Sequence, residues 1–136
     1  MTLREKFTSL GLLILRLAFG LMMLKHGIDK MQIFDTLAEK FADPIGMGPR
    51  TSLIAAIGAE VGCSLLLIVG LATRIACLPL AFTMIIALFV VHGGDPWQKK
   101  ELAAAYLAVY VVLFFTGPGQ FAIDHYLLKK KNEPDF

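Results

Sequence analysis

Four long apolar runs, separated by short segments that hold most of the charge, constrain what this chain can fold into. They cover about Phe7–Leu24, Leu53–Leu71, Ile75–Val91 and Leu102–Thr116. A helix rises 1.5 Å per residue and the hydrocarbon core of a bilayer is roughly 30 Å thick, so about 20 residues cross it. The first three runs nearly reach that length alone. The fourth reaches it by borrowing a turn around Trp97–Glu101, whose aromatic suits the interface. Of the 136 residues, 57% are hydrophobic and 18% charged, with a mean hydropathy of +0.68. A soluble domain carries about 25% charge, and it needs a polar surface that these charges cannot cover. The expectation is an all-α membrane protein, a single integral domain over 1–136, with lipid as its main partner. It is a four-transmembrane-helix bundle with spans at about 7–26, 53–71, 75–92 and 100–116.

The segments between the runs refine this picture. Ala72, Thr73 and Arg74 leave room only for a hairpin, so the second and third helices are antiparallel neighbours. Phe34, Leu37, Ala38 and Phe41 recur at i, i+3, i+4 and i+7, with Asp35, Glu39 and Lys40 between them. That pattern predicts one interfacial amphipathic helix between helices 1 and 2, lying flat on the membrane and ending before Pro44. Thr116-Gly117-Pro118-Gly119 stops the fourth helix. Arg16 interrupts the first run and no small-x-small site follows Leu24, so that run is expected to be retained as a helix. Four spans put both termini on one side. Lys and Arg tie at six on each side, and the Lys129–Lys131 cluster tips the expectation toward cytoplasmic termini in a multi-pass cell-membrane protein.

Several classes are excluded or disfavoured. The net charge of +2 is scattered, without a basic groove interleaved with aromatics, so no nucleic-acid partner is expected. Cys63 and Cys77 lack metal-ligand spacing, and their expected depths differ by more than a disulfide allows. No metal is expected.

Two charged residues fall deep inside the runs, Arg16 and Glu60. Each costs about 2.5–3.5 kcal/mol at a helix centre, so neither should face lipid. Counted from Leu24 and from Leu53, both lie about 11–12 Å below the same surface, which predicts that they pair. Tyr110 falls at that level and Tyr106 one turn above it, while His26, Lys30 and His92 stand at the mouth. Such a column suggests a pocket for a polar or redox-active molecule. The plainer reading is a buried pair that fixes helix register, with interfacial histidines and packing tyrosines. Around Glu60, Gly58 and Gly62 form a GxxxG stripe that serves the bundle or a homo-oligomer, with internal packing expected.

Leu15-Arg16-Leu17-Ala18-Phe19-Gly20, then His26-Gly27 and Lys30, resemble the first helix of the DoxX family. Ala59-Glu60 with Gly62, then Gly70-Leu71-Ala72-Thr73-Arg74, resemble its second helix and hairpin. His92 and Gly117-Pro118-Gly119 continue the likeness, which covers about residues 10–128. The resemblance implies a four-helix membrane protein linked to redox metabolism. Relatives in that family include the small subunit of an archaeal thiosulfate–quinone oxidoreductase and membrane partners of thiol and oxidative-stress systems. By position, its typical polar residues correspond to Arg16, His26, Lys30, Glu60, Arg74 and His92. It supplies no heme, flavin or metal motif, and neither does this sequence.

The functional expectation is a membrane subunit of a redox system, more an accessory than a catalyst, since it has no covalently bound cofactor. A quinone is the candidate ligand, held by Arg16, His26, Lys30, Glu60, His92, Tyr106 and Tyr110. A soluble or membrane redox protein is the candidate partner. Two alternatives stand beside it: a scaffold that anchors a soluble redox enzyme, and a small proton-coupled transporter with Glu60 as the switching acid.

Overall fold

The computed structural model describes residues 1–132, and every regular element among them is helical. The first helix, α1 (Leu3–Gln32), opens on a capping box: the Thr2 hydroxyl accepts from the Glu5 amide at 3.2 Å, and the Glu5 carboxylate accepts from the Thr2 amide at 2.9 Å. This helix runs past the charged segment where the first apolar run stops. Lys25 and Asp29 pair at 3.0 Å on its outer surface, one turn apart, while Gly27 and Met23 turn inward and are buried.

A single turn, α2 (Phe34–Leu37), follows, with the chain continuing as turn to Lys40. The helix expected over Phe34–Phe41 is therefore shorter than its periodicity implied. Asp43 organises the loop beyond it, accepting from the Met47 and Gly48 amides and from the Ser52 hydroxyl, each at 2.9 Å. Desolvation opposes ionisation there. The hydrogen bonds from Ser52 and from the Gly48, Met47 and Gly46 amides prevail, and they hold the Asp43 carboxyl below the usual carboxylate range.

Helix α3 (Pro49–Val69) starts with proline in its first turn, where a missing amide hydrogen costs nothing, and is π-helical over Gly58–Cys63. Gly70, at φ 72°, ends it in the left-handed conformation. After the tight hairpin, α4 (Thr73–Val91) returns, π-helical over Ala87–Val91. Pro79 lies within it, beyond the first turn, and its carbonyl accepts from the Thr83 hydroxyl at 2.8 Å. Then come α5 (Trp97–Thr116) and a short tail helix, α6 (Ile123–Asn132). Three of these helices, α1, α3 and α4, are long and apolar enough to cross a membrane. Helix α5 has 20 residues but carries Lys99, Lys100 and Glu101 in its first two turns.

Met23, Leu67, Cys77, Leu80, Met84, Tyr106, Tyr110 and Leu113 form the buried core between α1, α3, α4 and α5. Large apolar side chains such as Phe7, Ile75, Phe89 and Phe115 point outward, as expected where the surrounding solvent is lipid.

The α1–α3 register departs from the expected one. A Cβ added to Gly20 would sit 2.7 Å from Ile68 Cγ1, and one added to Gly27 would sit 2.7 Å from Val61 Cγ2 and 3.1 Å from Glu60 Cβ. These two glycines are the close-approach points. Gly58 and Gly62, by contrast, have nothing within 4 Å of an added Cβ and face outward, so the GxxxG stripe does not pack the bundle. Glu60 therefore lies beside Gly27, and Arg16, eleven residues earlier on α1, is about 16 Å away along the axis. The expected Arg16–Glu60 pair does not form. Hydropathy placed the end of the first helix at Leu24, whereas packing carries it inward to Lys30. Cys63 and Cys77 are free, and Cys63 packs against the core cluster that contains Cys77.

Arg16 does different work. It is fully buried, and its Nη1 donates to Leu67 O at 3.3 Å and Ile68 O at 3.5 Å while Nη2 donates to Phe121 O at 2.6 Å. The first two carbonyls belong to the last turn of α3, where Leu67 O also accepts from the Gly70 amide at 3.2 Å and Ile68 O has no backbone donor among the described residues. Asp124 serves the other arm of the hairpin, its two carboxylate oxygens accepting from the Ala72 and Thr73 amides at 2.7 and 2.9 Å. Arg16→Met should therefore destabilise the protein by about 2–4 kcal/mol in reversible unfolding in detergent, because it leaves buried carbonyls unmet. Its effect should add to that of Glu60→Gln within about 0.5 kcal/mol, whereas strong coupling would restore the pairing read from the sequence.

Candidate functional site

Glu60 is held in the π-helical segment of α3, which carries its carboxylate toward α1. Irregular turns of this kind recur at functional sites because they re-aim one side chain without ending the helix. Its Oε1 accepts from Lys30 Nζ, forming an ion pair in which Lys30 keeps 27% of its side chain exposed and Glu60 only 1%. The second oxygen, Oε2, is buried and has no hydrogen-bond partner among the described residues. Lys30 also lies 5.8 Å from the centre of the Phe41 ring.

The other π-helical segment ends at His92, whose amide donates to Ala87 O at 3.0 Å. The His92 ring nitrogen Nδ1 is 2.8 Å from Asp95 Oδ2. That hydrogen bond, assisted by the charges of Lys99, His92 and Lys100 and opposed by desolvation, holds the Asp95 carboxyl below its usual range. On the third side, the Tyr106 ring stands edge-on to His26 at 5.9 Å and stacks on Tyr110 at 6.0 Å. The Tyr110 hydroxyl donates to Phe19 O at 3.5 Å.

Two cavities meet at these residues, with Lys30, Glu60, Met84, Ala87 and His92 lining both. One has a volume of about 430 Å³ and is otherwise walled largely by apolar side chains, among them Phe41, Ile45, Met47, Phe82 and Ile86. The other, about 180 Å³, is lined by His26, Lys99 and Tyr106. Five of the seven residues singled out from the sequence thus come together: His26, Lys30, Glu60, His92 and Tyr106. Tyr110 lies beneath Tyr106 in the core. Arg16 is at the opposite end of the bundle and belongs to no cavity with them.

Sequence reasoning missed three contributors. Phe41 was read as an interfacial residue but walls the larger cavity. Lys99 was counted only as a charge at the start of the fourth helix, and Asp95 was not singled out. The signal for Asp95 was its position three residues after His92.

The pair's asymmetric burial has a measurable consequence. Lys30→Met strands a buried carboxylate and should cost about 3–5 kcal/mol, while Glu60→Gln leaves an amine that reaches water and should cost less. A double-mutant cycle should return a coupling of about 0.5–3 kcal/mol, and zero coupling would dissolve the pair.

Comparison with known proteins agrees with a bundle of this kind. Residues 11–93 match the DoxX family. The "Uncharacterized membrane protein Rv3486" of Mycobacterium tuberculosis is 30% identical over 131 residues, covering 85% of this chain and 80% of that protein. The Bacillus subtilis protein named "Putative oxidoreductase CatD" is 30% identical over 130 residues, covering 94% and 96%. The "Inner membrane protein YphA" of Escherichia coli is 29% identical over 126 residues, covering 83% and 87%. No solved structure matches. With three helices able to cross a membrane and the matched segment running through α1, α3 and α4, the chain is a membrane protein that belongs to the DoxX family.

Proposed function

We propose that this protein is a membrane subunit of a redox system and that it takes a quinone-like molecule at the Lys30–Glu60 pair. In this reading α5 is the fourth span and the Phe34–Phe41 segment rests at the membrane surface. One observation carries the proposal: an apolar cleft of about 430 Å³ ends on a partly buried ion pair whose buried carboxylate has one oxygen unmatched. A site with apolar walls and few polar groups suits a ligand with a greasy body and a polar ring. The relative CatD carries the word oxidoreductase in its name, which supports the redox class.

The residues fit such a head group. A bound quinone would supply two-electron, two-proton redox chemistry. The Lys30 ammonium can donate to a ring carbonyl, and Glu60 Oε2 can accept from a ring hydroxyl. Histidine is the usual proton carrier near neutral pH; His92 lines both cavities beside this pair and His26 lines the smaller one. Tyr106 and Tyr110 close the floor. Between that floor and Arg16 lie Leu67, Cys77, Leu80 and Leu113, all buried and apolar. That plug argues against the transporter reading, which needs a polar path to both faces.

Trp97, the single tryptophan, begins α5 two residues before Lys99 and reports on the mouth of the smaller cavity. Titration of the purified protein with a short-chain quinone should quench it saturably. Lys30→Met or Glu60→Gln should weaken binding about tenfold, the loss of one charge-assisted hydrogen bond, and Cys63→Ser should leave it unchanged. No saturable response, or an equal loss in Cys63→Ser, overturns the proposal.

A further inference from the structure

The opposite end of the bundle carries a third cavity, and we propose that it holds the phosphate head group of an anionic phospholipid. Its volume is about 620 Å³, and it lies between the α3–α4 hairpin, the end of α5 and the tail helix α6. The cationic side chains on its walls are Arg74 and Lys131, with His125 beside them, and the acidic one is Asp124. Both Asp124 oxygens already accept from the Ala72 and Thr73 amides, so that carboxylate is committed to capping α4. Arg74 makes only a long hydrogen bond, Nη2 to Phe115 O at 3.4 Å, and enters no ion pair among the described residues. The Thr73 hydroxyl is fully buried and has no partner among the described residues, and Thr73 lines this cavity. A phosphate oxygen satisfies both a guanidinium and an unmatched hydroxyl.

Position selects a lipid over a free anion. Helices α3 and α4 are both long and apolar enough to cross a membrane, so the hairpin that joins them lies at a membrane interface. Exposed apolar side chains flank the cavity on both sides: Ile75 from α4 and Phe115 from the end of α5, Leu127 and Leu128 from α6. They offer the acyl chains a place beside the charge. Basic pockets between helix ends are where anionic head groups bind, and each Lys or Arg near such a surface contributes about fivefold to affinity. Lys129 and Lys130, adjacent on α6, strengthen the field.

The test uses the full-length protein in neutral detergent, with phosphatidylglycerol, phosphatidylcholine and glycerol phosphate as probes. Native mass spectrometry should show phosphatidylglycerol retained in preference to phosphatidylcholine, with retention falling as salt rises. Arg74→Gln and Lys131→Gln should each weaken it about fivefold and together about 25-fold. Arg74→Lys should preserve most of it, which separates charge from any folding defect. Lys25→Gln, at the other end of the bundle, should have no effect. Equal retention of the two lipids, or no loss in the Arg74→Gln/Lys131→Gln pair, overturns the proposal. Displacement by glycerol phosphate at matched concentration also overturns it, since that would assign the site to a free phosphate.

Discussion

Two helices surrounded by lipid gain little from hiding apolar surface against each other, since the lipid is as apolar as leucine. Close packing and polar contacts hold them instead. In this protein the close approach of α1 to α3 at Gly20 and Gly27 performs that task, and most of the remaining structure depends on the register it sets. A side chain at Gly27 would collide with Val61 and crowd Glu60. With none there, Glu60 meets Lys30 at one end of the bundle, and Arg16 meets the last carbonyls of α3 at the other. Both polar ends follow from one helix crossing.

Those ends have different characters. At the hairpin end most polar groups serve one another, the unmatched Thr73 hydroxyl excepted: Arg16 takes carbonyls in the last turn of α3, Asp124 takes the first amides of α4, and the Ser9 hydroxyl accepts from the Gln120 amide at 3.2 Å. That is the arithmetic of helix termini brought into a low-dielectric place. At the other end, the buried carboxylate of Glu60 is matched on one oxygen only, and it faces open volume. The helices there are π-turned on two sides, at Gly58–Cys63 and Ala87–Val91. Satisfied polar groups read as architecture. An unmatched one beside a cavity reads as a place for a ligand.

Much of this was legible in the residues. Long apolar runs fixed the helical membrane class because backbone groups in lipid must bond internally, and the Ala72–Arg74 link could only be a hairpin. His26, Lys30, Glu60, His92 and Tyr106 could be grouped because they share one end of the runs: His26, Lys30 and His92 sit where a run ends, charge is costly at Glu60, and Tyr106 follows one turn into the fourth run. The pairing failed for a physical reason. Depth was measured from the point where hydropathy drops, at Leu24, yet Lys25 and Asp29 neutralise each other on the outer surface and the helix continues inward through Gly27 to Lys30. Register is set by where small residues let backbones touch, and α1 offers Gly11, Gly20 and Gly27 without saying which of them do. The π-helical turns had no sequence signal beyond glycines near Glu60.

The central claim is that Glu60 belongs to Lys30 and not to Arg16. Dipolar recoupling by solid-state NMR in lipid bilayers, between lysine ¹⁵Nζ and glutamate ¹³Cδ, reads that contact directly. Among the described residues Lys30–Glu60 is the one lysine–glutamate ion pair. The structure predicts a strong coupling that vanishes in Glu60→Gln and in Lys30→Met and survives in Arg16→Met. A coupling from arginine guanidinium ¹⁵N to glutamate ¹³Cδ that disappears in Arg16→Met, with no lysine signal, would contradict the account.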